Sequence, residues 1–130
     1  MSDNLTTLYR PVGRKELELV RATQFREFPP RLPSQPLFYP VLSEEYAVLI
    51  ARDWNTKDEA SDYEGYVLKF DVRSEFLSRY QVHVVGNSTH REYWIPAGDL
   101  EVLNLNIERD DRNYSRVSTR TVAHLSPLWG

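Results

Sequence analysis

The chain has 130 residues, of which 41% are hydrophobic and 12% aromatic, and this is enough apolar material for one globular domain. Sixteen Lys and Arg against nineteen Asp and Glu give a net charge of −3, a balance that argues against a mainly electrostatic nucleic-acid binder. The absence of cysteine excludes disulfides, thiolate metal ligands and a cysteine nucleophile, and the three histidines lack the spacing of a zinc site, so we expect no metal.

The first part of the chain predicts a strand, a helix and a stiff connector. Residues 6–12 are rich in β-branched and aromatic side chains and predict a strand. Residues 14–23 place apolar side chains at helical spacing and predict an amphipathic helix. Four prolines within residues 28–36 exclude a helix. This segment is either an SH3-type ligand or, as we favour, an extended connector anchored by Phe25 and Phe28.

The middle of the chain predicts a second strand followed by a second helix. Residues 37–42 are apolar enough for a central strand, and Ser43 is a suitable N-cap for a helix over residues 44–54. The polar residues 56–64 predict a surface loop. The inner face of the second helix is expected to contain Tyr46 or Ala47, Leu49 with Ile50, and Trp54.

Short strands and turns follow. The clearest strand is residues 65–72, whose side chains alternate between two faces. Residues 74–80 predict one or two helical turns capped by Ser74. Glu92 stands directly before a short apolar strand, Tyr93–Ile95, which Pro96 ends because proline has no N–H to donate. The remaining predictions are a strand over residues 81–85, a turn over 86–89, and a short helix or further strand over 99–107.

These elements predict an α+β fold with antiparallel or mixed sheets split into two small halves. We expect one domain over residues 1–107, followed over residues 108–130 by a last strand or a loosely ordered tail. The candidate last strand rests on weak alternation at Val117, Thr119, Thr121 and Ala123. No apolar run approaches the roughly 20 residues of a membrane span and no secretory leader is visible, so we expect a cytoplasmic protein with no membrane partner.

Three short motifs occur in a particular order. The first strand contains Leu8-Tyr9-Arg10, the second contains Phe38-Tyr39-Pro40-Val41 and leads into a helix, and Glu92 follows a turn. In this order the motifs resemble the ADP-ribosyltransferase superfamily of bacterial mono-ADP-ribosylating toxins, poly-ADP-ribose polymerases and RNA 2′-phosphotransferases. The phrases L-Y-R-P-V-G and E-Y-W-I-P-A are also similar to those of small uncharacterised bacterial proteins, some with names related to ADP-ribosylation. The likeness spans roughly residues 6–107.

The resemblance implies split β-sheets with flanking short helices, and NAD as a substrate whose ADP-ribose passes to an unknown protein or nucleic-acid acceptor. It implies that Arg10 holds the NAD pyrophosphate or the adjacent ribose, and that Tyr39, with Tyr46, stacks on the nicotinamide. It further implies that Glu92 bonds the 2′-OH of the nicotinamide ribose and stabilises a cationic transition state. His90 stands where many members carry a Gln or Glu for the acceptor, which implies a base toward a hydroxyl acceptor.

Each of these residues also has a structural interpretation. Arg10 suits a surface cation or an ion-pair partner, and Tyr39 and Tyr46 suit core positions. Glu92 suits an ion pair with Arg91 or Arg10. The other aromatic candidates are expected to be core or exposed structural residues: Trp94 in the core, and His83 and His124 structural or exposed.

Two other functions stay open on the sequence. One is a non-catalytic protein-binding module of the antitoxin or immunity type on the same fold. The other is an RNA-end-modifying relative of the 2′-phosphotransferases, which the acidic balance disfavours. The positions of Arg10, Tyr39 and Glu92 discriminate between the NAD enzyme and the binding module. Convergence of the three residues in one cleft favours the NAD enzyme, and a pocket too narrow for NAD, or Arg10 and Glu92 far apart, favours the binding module.

Overall fold

The structure is a computed structural model that describes residues 4–108 and 114–117. Three short 3₁₀ turns, Asn55–Lys57, Glu59–Ser61 and Ala97–Asp99, interrupt the loops. The described elements, in chain order, are β1 (Leu5–Val12), α1 (Arg14–Ala22), β2 (Leu37–Phe38), α2 (Glu44–Asp53), β3 (Gly65–Arg73), α3 (Ser74–Leu77), β4 (Val82–Val84), β5 (Arg91–Tyr93), β6 (Ile95–Pro96), α4 (Leu100–Leu105), β7 (Ile107–Glu108) and β8 (Tyr114–Val117).

The strands form small antiparallel sheets. β1 pairs with β3 along its whole length, from Leu5 opposite Arg73 to Val12 opposite Tyr66. The other edge of β3 pairs with β7 and β8. β2 pairs with β6, and β4 pairs with β5. The chain is therefore a mixed α+β protein with antiparallel sheets and short helices, which confirms the predicted class at this level.

Val41 connects the two longest parts of the strand system. Its backbone N–H and carbonyl exchange two 2.8 Å hydrogen bonds with Tyr9 of β1, and on its other side it bridges Glu92 of β5. Neighbouring strands lie about 4.8 Å apart, so the backbones of Tyr9 and Glu92 are about 10 Å apart on either side of Val41. The first strand and the candidate carboxylate are thereby brought together from distant parts of the sequence.

Both faces of the central β1–β3 pair are covered. On one face, Leu8 and Leu68 join the main core with Leu17 of α1 and with Phe28. On the other, Ala47 and Ala51 of α2 pack on Val67 and Val41. Small side chains permit this approach: a Cβ added to Gly65 would lie 2.7 Å from the carbonyl oxygen of Ala51.

The helices follow the predicted signals closely. α1 spans Arg14–Ala22, after which Gln24 and Phe25 take positive φ angles of 61° and 59° and turn the chain into the proline-rich connector. That connector contains no helix or strand before β2, and Phe28 is buried in the core, as predicted. α2 begins where expected because the Ser43 hydroxyl accepts a 3.2 Å bond from the N–H of Tyr46.

Several predictions about individual elements are wrong. The second strand is only Leu37–Phe38 plus the Val41 bridge, because Pro36 and Pro40 supply no N–H to a ladder. The predicted 93–95 strand is interrupted at Trp94, so Glu92 lies inside β5 instead of before a strand. Trp54 caps the end of α2 and is 66% exposed, whereas Tyr46, Ala47, Val48 and Ala51 are the buried residues of that helix.

Other predictions differ in detail. Ser74 does not cap α3: the capping position is Arg73, and the Ser74 hydroxyl instead lies 2.6 Å from that of Thr6. The loop over residues 56–64 contains 3₁₀ turns, and Thr56 and Ser61 in it are buried. Of the two options for residues 99–107, the helix is observed, as α4.

Part of the predicted tail falls in the strand system. β8 contains Val117 and pairs with Gly65–Leu68 of β3. Residues 109–113 and 118–130, including the rest of the alternating pattern and His124, lie outside the described residues. Among the helices that are described, none is long and apolar enough to cross a bilayer.

Candidate functional site

A cleft of about 630 Å³, here called the main cleft, lies beside the end of β1. Arg10, Tyr39 and Glu92 all line it. Its other walls are the start of α1, the end of α2 with the following loop, and the proline-rich segment 29–35. Its volume is within the range of small-molecule sites, about 300–1,000 Å³. The three residues singled out by the sequence therefore face one space of ligand size.

Arg10 is held by Glu16 of α1. It is only 8% exposed, its Nε donates to Glu16 Oε2 at 2.6 Å, and its Nη2 donates to Oε1 at 3.0 Å. Its guanidinium carbon also lies 4.4 Å from the ring centroid of Phe38. Arg10 is thus an ion-pair partner, but of Glu16 and not of Glu92. Of the five N–H donors of a guanidinium, two are used by Glu16, and the other three have no side-chain partner among residues 4–108 and 114–117.

Glu92 is buried, with 9% exposure, in the middle of β5. The Tyr46 hydroxyl donates to its Oε2 at 2.8 Å, and the Trp94 indole Nε1–H donates to its Oε1 at 2.8 Å. Because an ionised carboxylate is an acceptor only, two donors on its two oxygens suit that form. Both oxygens are therefore fixed in direction, and each accepts one side-chain hydrogen bond within the described part of the chain. Arg91, its neighbour in β5, is exposed and does not pair with it.

Tyr46 and His90 lie behind Glu92. Their rings are stacked, with centroids 4.4 Å apart and planes 1° from parallel. They line a second cleft of about 720 Å³, together with Ser43, Arg52 and Thr89, and in the described structure neither lines the main cleft. Tyr46 is the link between the two clefts, because its ring lies in the second while its hydroxyl holds the carboxylate of the main cleft.

The environment of Tyr46 changes its acidity. Burial, followed by its hydrogen bond to Glu92 and the charge of that carboxylate, raises the pKa of the Tyr46 phenol from 10.0 to about 12. The phenol therefore remains a donor throughout the neutral range.

Trp94 and Tyr39 form an aromatic pair beside Glu92, and of the two Tyr39 lines the main cleft. Trp94 is 39% exposed, so its predicted core position is wrong. Its indole stacks on His83, with centroids 3.7 Å apart and planes 6° from parallel, while Tyr39 meets it edge to face at 6.3 Å. Tyr39 is itself 39% exposed and is not a core residue. An accessible aromatic pair of this kind suits a planar ligand ring.

Two residues of the site were missed by sequence reasoning. Trp94 follows Glu92 by two positions. Because side chains two positions apart in a strand point to the same face, this spacing is the signal that places Trp94 beside Glu92. Arg31 also lines the main cleft, and its signal was its isolation as the only charged residue among Phe28–Pro36. Burial, and secondarily the nearby positive charge of Arg10, lowers the pKa of Arg31.

The described residues contain no group of three or more His, Asp or Glu side chains placed to hold a metal ion. No protein-family model, curated protein or solved structure matches the chain. The site combines a fixed carboxylate, a paired arginine, a second arginine and exposed aromatic side chains around one cleft.

Proposed function

We propose that the protein binds NAD in the main cleft and breaks its nicotinamide glycosidic bond, as ADP-ribosyltransferases do, on a fold of that type. The observation that carries the proposal is that Arg10, Tyr39 and Glu92 line one cleft of about 630 Å³. These residues come from positions 10, 39 and 92, and each has the chemistry that one part of NAD requires. In this proposal Arg10 binds the diphosphate, Tyr39 stacks on the planar cationic nicotinamide ring, and Glu92 bonds the ribose.

The chemistry depends on the carboxylate. When the bond between the ribose C1′ and the nicotinamide nitrogen breaks, the electron pair leaves with nicotinamide and positive charge develops on the ribose. A fixed anion stabilises that charge without reorganising during the reaction. The bonds from Tyr46 and Trp94 hold Glu92 in one direction, and its remaining lone pairs suit the ribose hydroxyl.

The ribosyl cation then needs a nucleophile, either water or an acceptor hydroxyl. A new C1′–O bond forms as the nucleophile loses its proton, which requires a base. His90 is assigned to this step in the proposal, because its ring is stacked on Tyr46, whose hydroxyl touches Glu92.

Nicotinamide release tests the proposal. Purified protein is incubated with NAD, and free nicotinamide is measured by chromatography, with NAD binding measured by calorimetry. We expect Glu92→Gln to bind NAD but to release nicotinamide about 100-fold or more slowly, as when a transition-state charge partner is lost. Glu101→Gln, in an exposed position of α4, is the matched control and should retain full activity. A wild-type protein that neither binds NAD nor releases nicotinamide would refute the proposal.

A non-catalytic protein-binding module is the second candidate. Exposed apolar side chains around the main cleft favour it, since Leu19 is 53%, Leu32 63% and Trp54 66% exposed. On this alternative the cleft mouth receives a protein side chain in place of a nucleotide. Absence of NAD binding in the calorimetric experiment, with intact folding, would favour the module.

A further inference from the structure

Arg31 lies on the proline-rich wall of the main cleft in a defined conformation. Its Nε–H donates to the carbonyl oxygen of Leu37 at 3.1 Å, and the side chain is half-buried. Its guanidinium carbon lies 5.9 Å from the ring centroid of Phe38, the same ring that Arg10 covers at 4.4 Å. Two guanidinium groups therefore lie at one aromatic side chain and line one cleft.

The two arginines differ in charge compensation. Arg10 has two bonds to the carboxylate of Glu16. Within residues 4–108 and 114–117, the hydrogen bonds of Arg31 are limited to the one from Nε, and it forms no ion pair. The four N–H groups on its two Nη atoms are therefore available to a ligand. The nearby carboxylate is that of Glu16, which is already bonded to Arg10, so an anion in the cleft would offset the cost of holding Arg31 as a half-buried cation.

The positions of neighbouring residues support a fixed role for this arginine. Pro29 and Pro30 directly precede Arg31, and Pro33 stands two positions after it and restricts the backbone of Leu32 between them. The bond to Leu37 then restrains the side chain. Ordering costs are reduced when a recognition group is held in place before the ligand arrives.

We propose that Arg31 is an anion-recognition residue of the main cleft and binds the diphosphate group of a nucleotide ligand beside Arg10. A guanidinium matches phosphate oxygens with two parallel N–H donors. Where the ligand is NAD, this inference rests on the proposed function, and it places the diphosphate of NAD on the Arg31 side of the main cleft. The diphosphate itself is the group recognised, so the site is also testable without NAD.

The test measures binding of inorganic pyrophosphate, ADP-ribose and adenosine by calorimetry to wild type, Arg31→Gln and Arg31→Lys. We expect Arg31→Gln to weaken pyrophosphate and ADP-ribose about tenfold, the effect of losing a charge-assisted hydrogen bond, with adenosine unchanged. Arg31→Lys keeps the charge but loses the planar pair of donors. Its affinity for pyrophosphate should therefore lie between those of wild type and Arg31→Gln. In NAD turnover, Arg31→Gln should raise KM and leave kcat within about twofold of wild type.

Arg79→Gln is the matched control. Arg79 also lies over an aromatic ring, 5.3 Å from the centroid of Phe76, but does not line the main cleft. The Arg79→Gln variant should therefore bind pyrophosphate with the same affinity as wild type. The inference is overturned if wild type does not bind pyrophosphate, if Arg31→Gln and Arg31→Lys both bind it like wild type, or if Arg79→Gln loses as much affinity.

The two proposals fail in different ways. Arg31-dependent pyrophosphate binding without nicotinamide release would remove the proposed NAD chemistry and keep the anion site. Nicotinamide release with an unchanged KM in Arg31→Gln would keep the NAD chemistry and remove the role of Arg31. Thermal unfolding of each variant shows whether an observed loss belongs to the site or to the fold.

Discussion

The Tyr46 hydroxyl donates a 2.8 Å hydrogen bond to Glu92, and this bond joins helix α2 to strand β5 between the two clefts. The two residues are 46 positions apart in the chain. Ser43 fixes the start of α2, and the Val41 bridge fixes the backbone of Glu92. The orientation of the candidate catalytic carboxylate therefore depends on both the helix and the strand system.

Tyr46→Phe removes the hydroxyl and keeps the ring stacked on His90. We expect it to lower the free energy of unfolding by about 1–3 kcal/mol, because Glu92 loses one donor in a buried position. Nicotinamide release should fall about tenfold as the carboxylate loses one of its two restraints. Urea unfolding and the nicotinamide assay measure the two effects. Tyr63→Phe, at a tyrosine that is 62% exposed, is the control, and an equal effect there would contradict the assignment.

Trp94→Phe removes the second donor while keeping an aromatic side chain between His83 and Tyr39. We expect nicotinamide release to fall about tenfold. Combined with Tyr46→Phe, the loss should differ from the sum of the single losses by about 0.5 kcal/mol or more, because both side chains restrain one carboxylate. A double-mutant cycle of the activation free energies measures this coupling. Strict additivity would show that the two donors act independently.

Glu16→Gln removes the counter-charge of Arg10. We expect a loss of about 3 kcal/mol in unfolding free energy, since a cation that is only 9% exposed at its side chain keeps no ionic partner. Affinity for pyrophosphate should increase at the same time, because the donors released from Glu16 become available to an anion. The matched control is Glu18→Gln, whose ion pair with Arg14 has both side chains more than 50% exposed and should change stability by less than about 1 kcal/mol.

Gly13→Ala tests the packing that sets the wall of the main cleft. The backbone at Gly13 is extended, with φ of −87°, so alanine is conformationally acceptable there. An added Cβ would, however, collide with the Cβ and Oγ of Ser61 and lie 2.6 Å from its backbone Cα, a contact that removing the Ser61 side chain does not relieve. We expect a destabilisation of about 1–3 kcal/mol, measured by urea unfolding, and partial recovery in combination with Ser61→Gly. Gly98→Ala, where an added Cβ meets nothing within 4 Å, should be near neutral.

Stability at high pH depends on phenols whose pKa is raised in the folded state, of which Tyr46 and Tyr80 shift most; burial, followed by the charges of Glu44 and Asp71, also raises the pKa of Tyr9. The pKa of Tyr46 is raised to about 12 by burial and by Glu92, and that of Tyr80 is raised to about 12 by burial and by its 2.8 Å bond to Asp99. Because the folded state holds these protons more tightly than the unfolded chain, the contribution is complete below pH 10 and is lost between about pH 10 and 12. Absorbance titration should show a late phenolate component that Tyr46→Phe and Tyr80→Phe each reduce. A component that neither variant changes would contradict this assignment.

Local patterns predicted most of the regular elements and left the lengths of two strands wrong. Alternation at residues 65–72 and the Ser43 cap correspond to β3 and α2 because these signals act within a few residues. The second strand was over-extended because the prolines around it restrict ladder bonding more than its apolar composition promotes it. Hydrophobicity predicts a core position for Trp94, and this is wrong because hydrophobicity does not reveal that its indole N–H donates to the Glu92 carboxylate.

The sequence by itself determined the element types, the stiffness of the proline-rich segment and the set Arg10, Tyr39 and Glu92 as candidates. Only the tertiary structure decided that these three line one cleft, that Glu16 is the partner of Arg10, and that Arg31 faces the same space. The physical reason is that backbone bonds to Val41 set the positions of Tyr9 and Glu92 across 83 residues of chain, and no local periodicity specifies a contact of that separation.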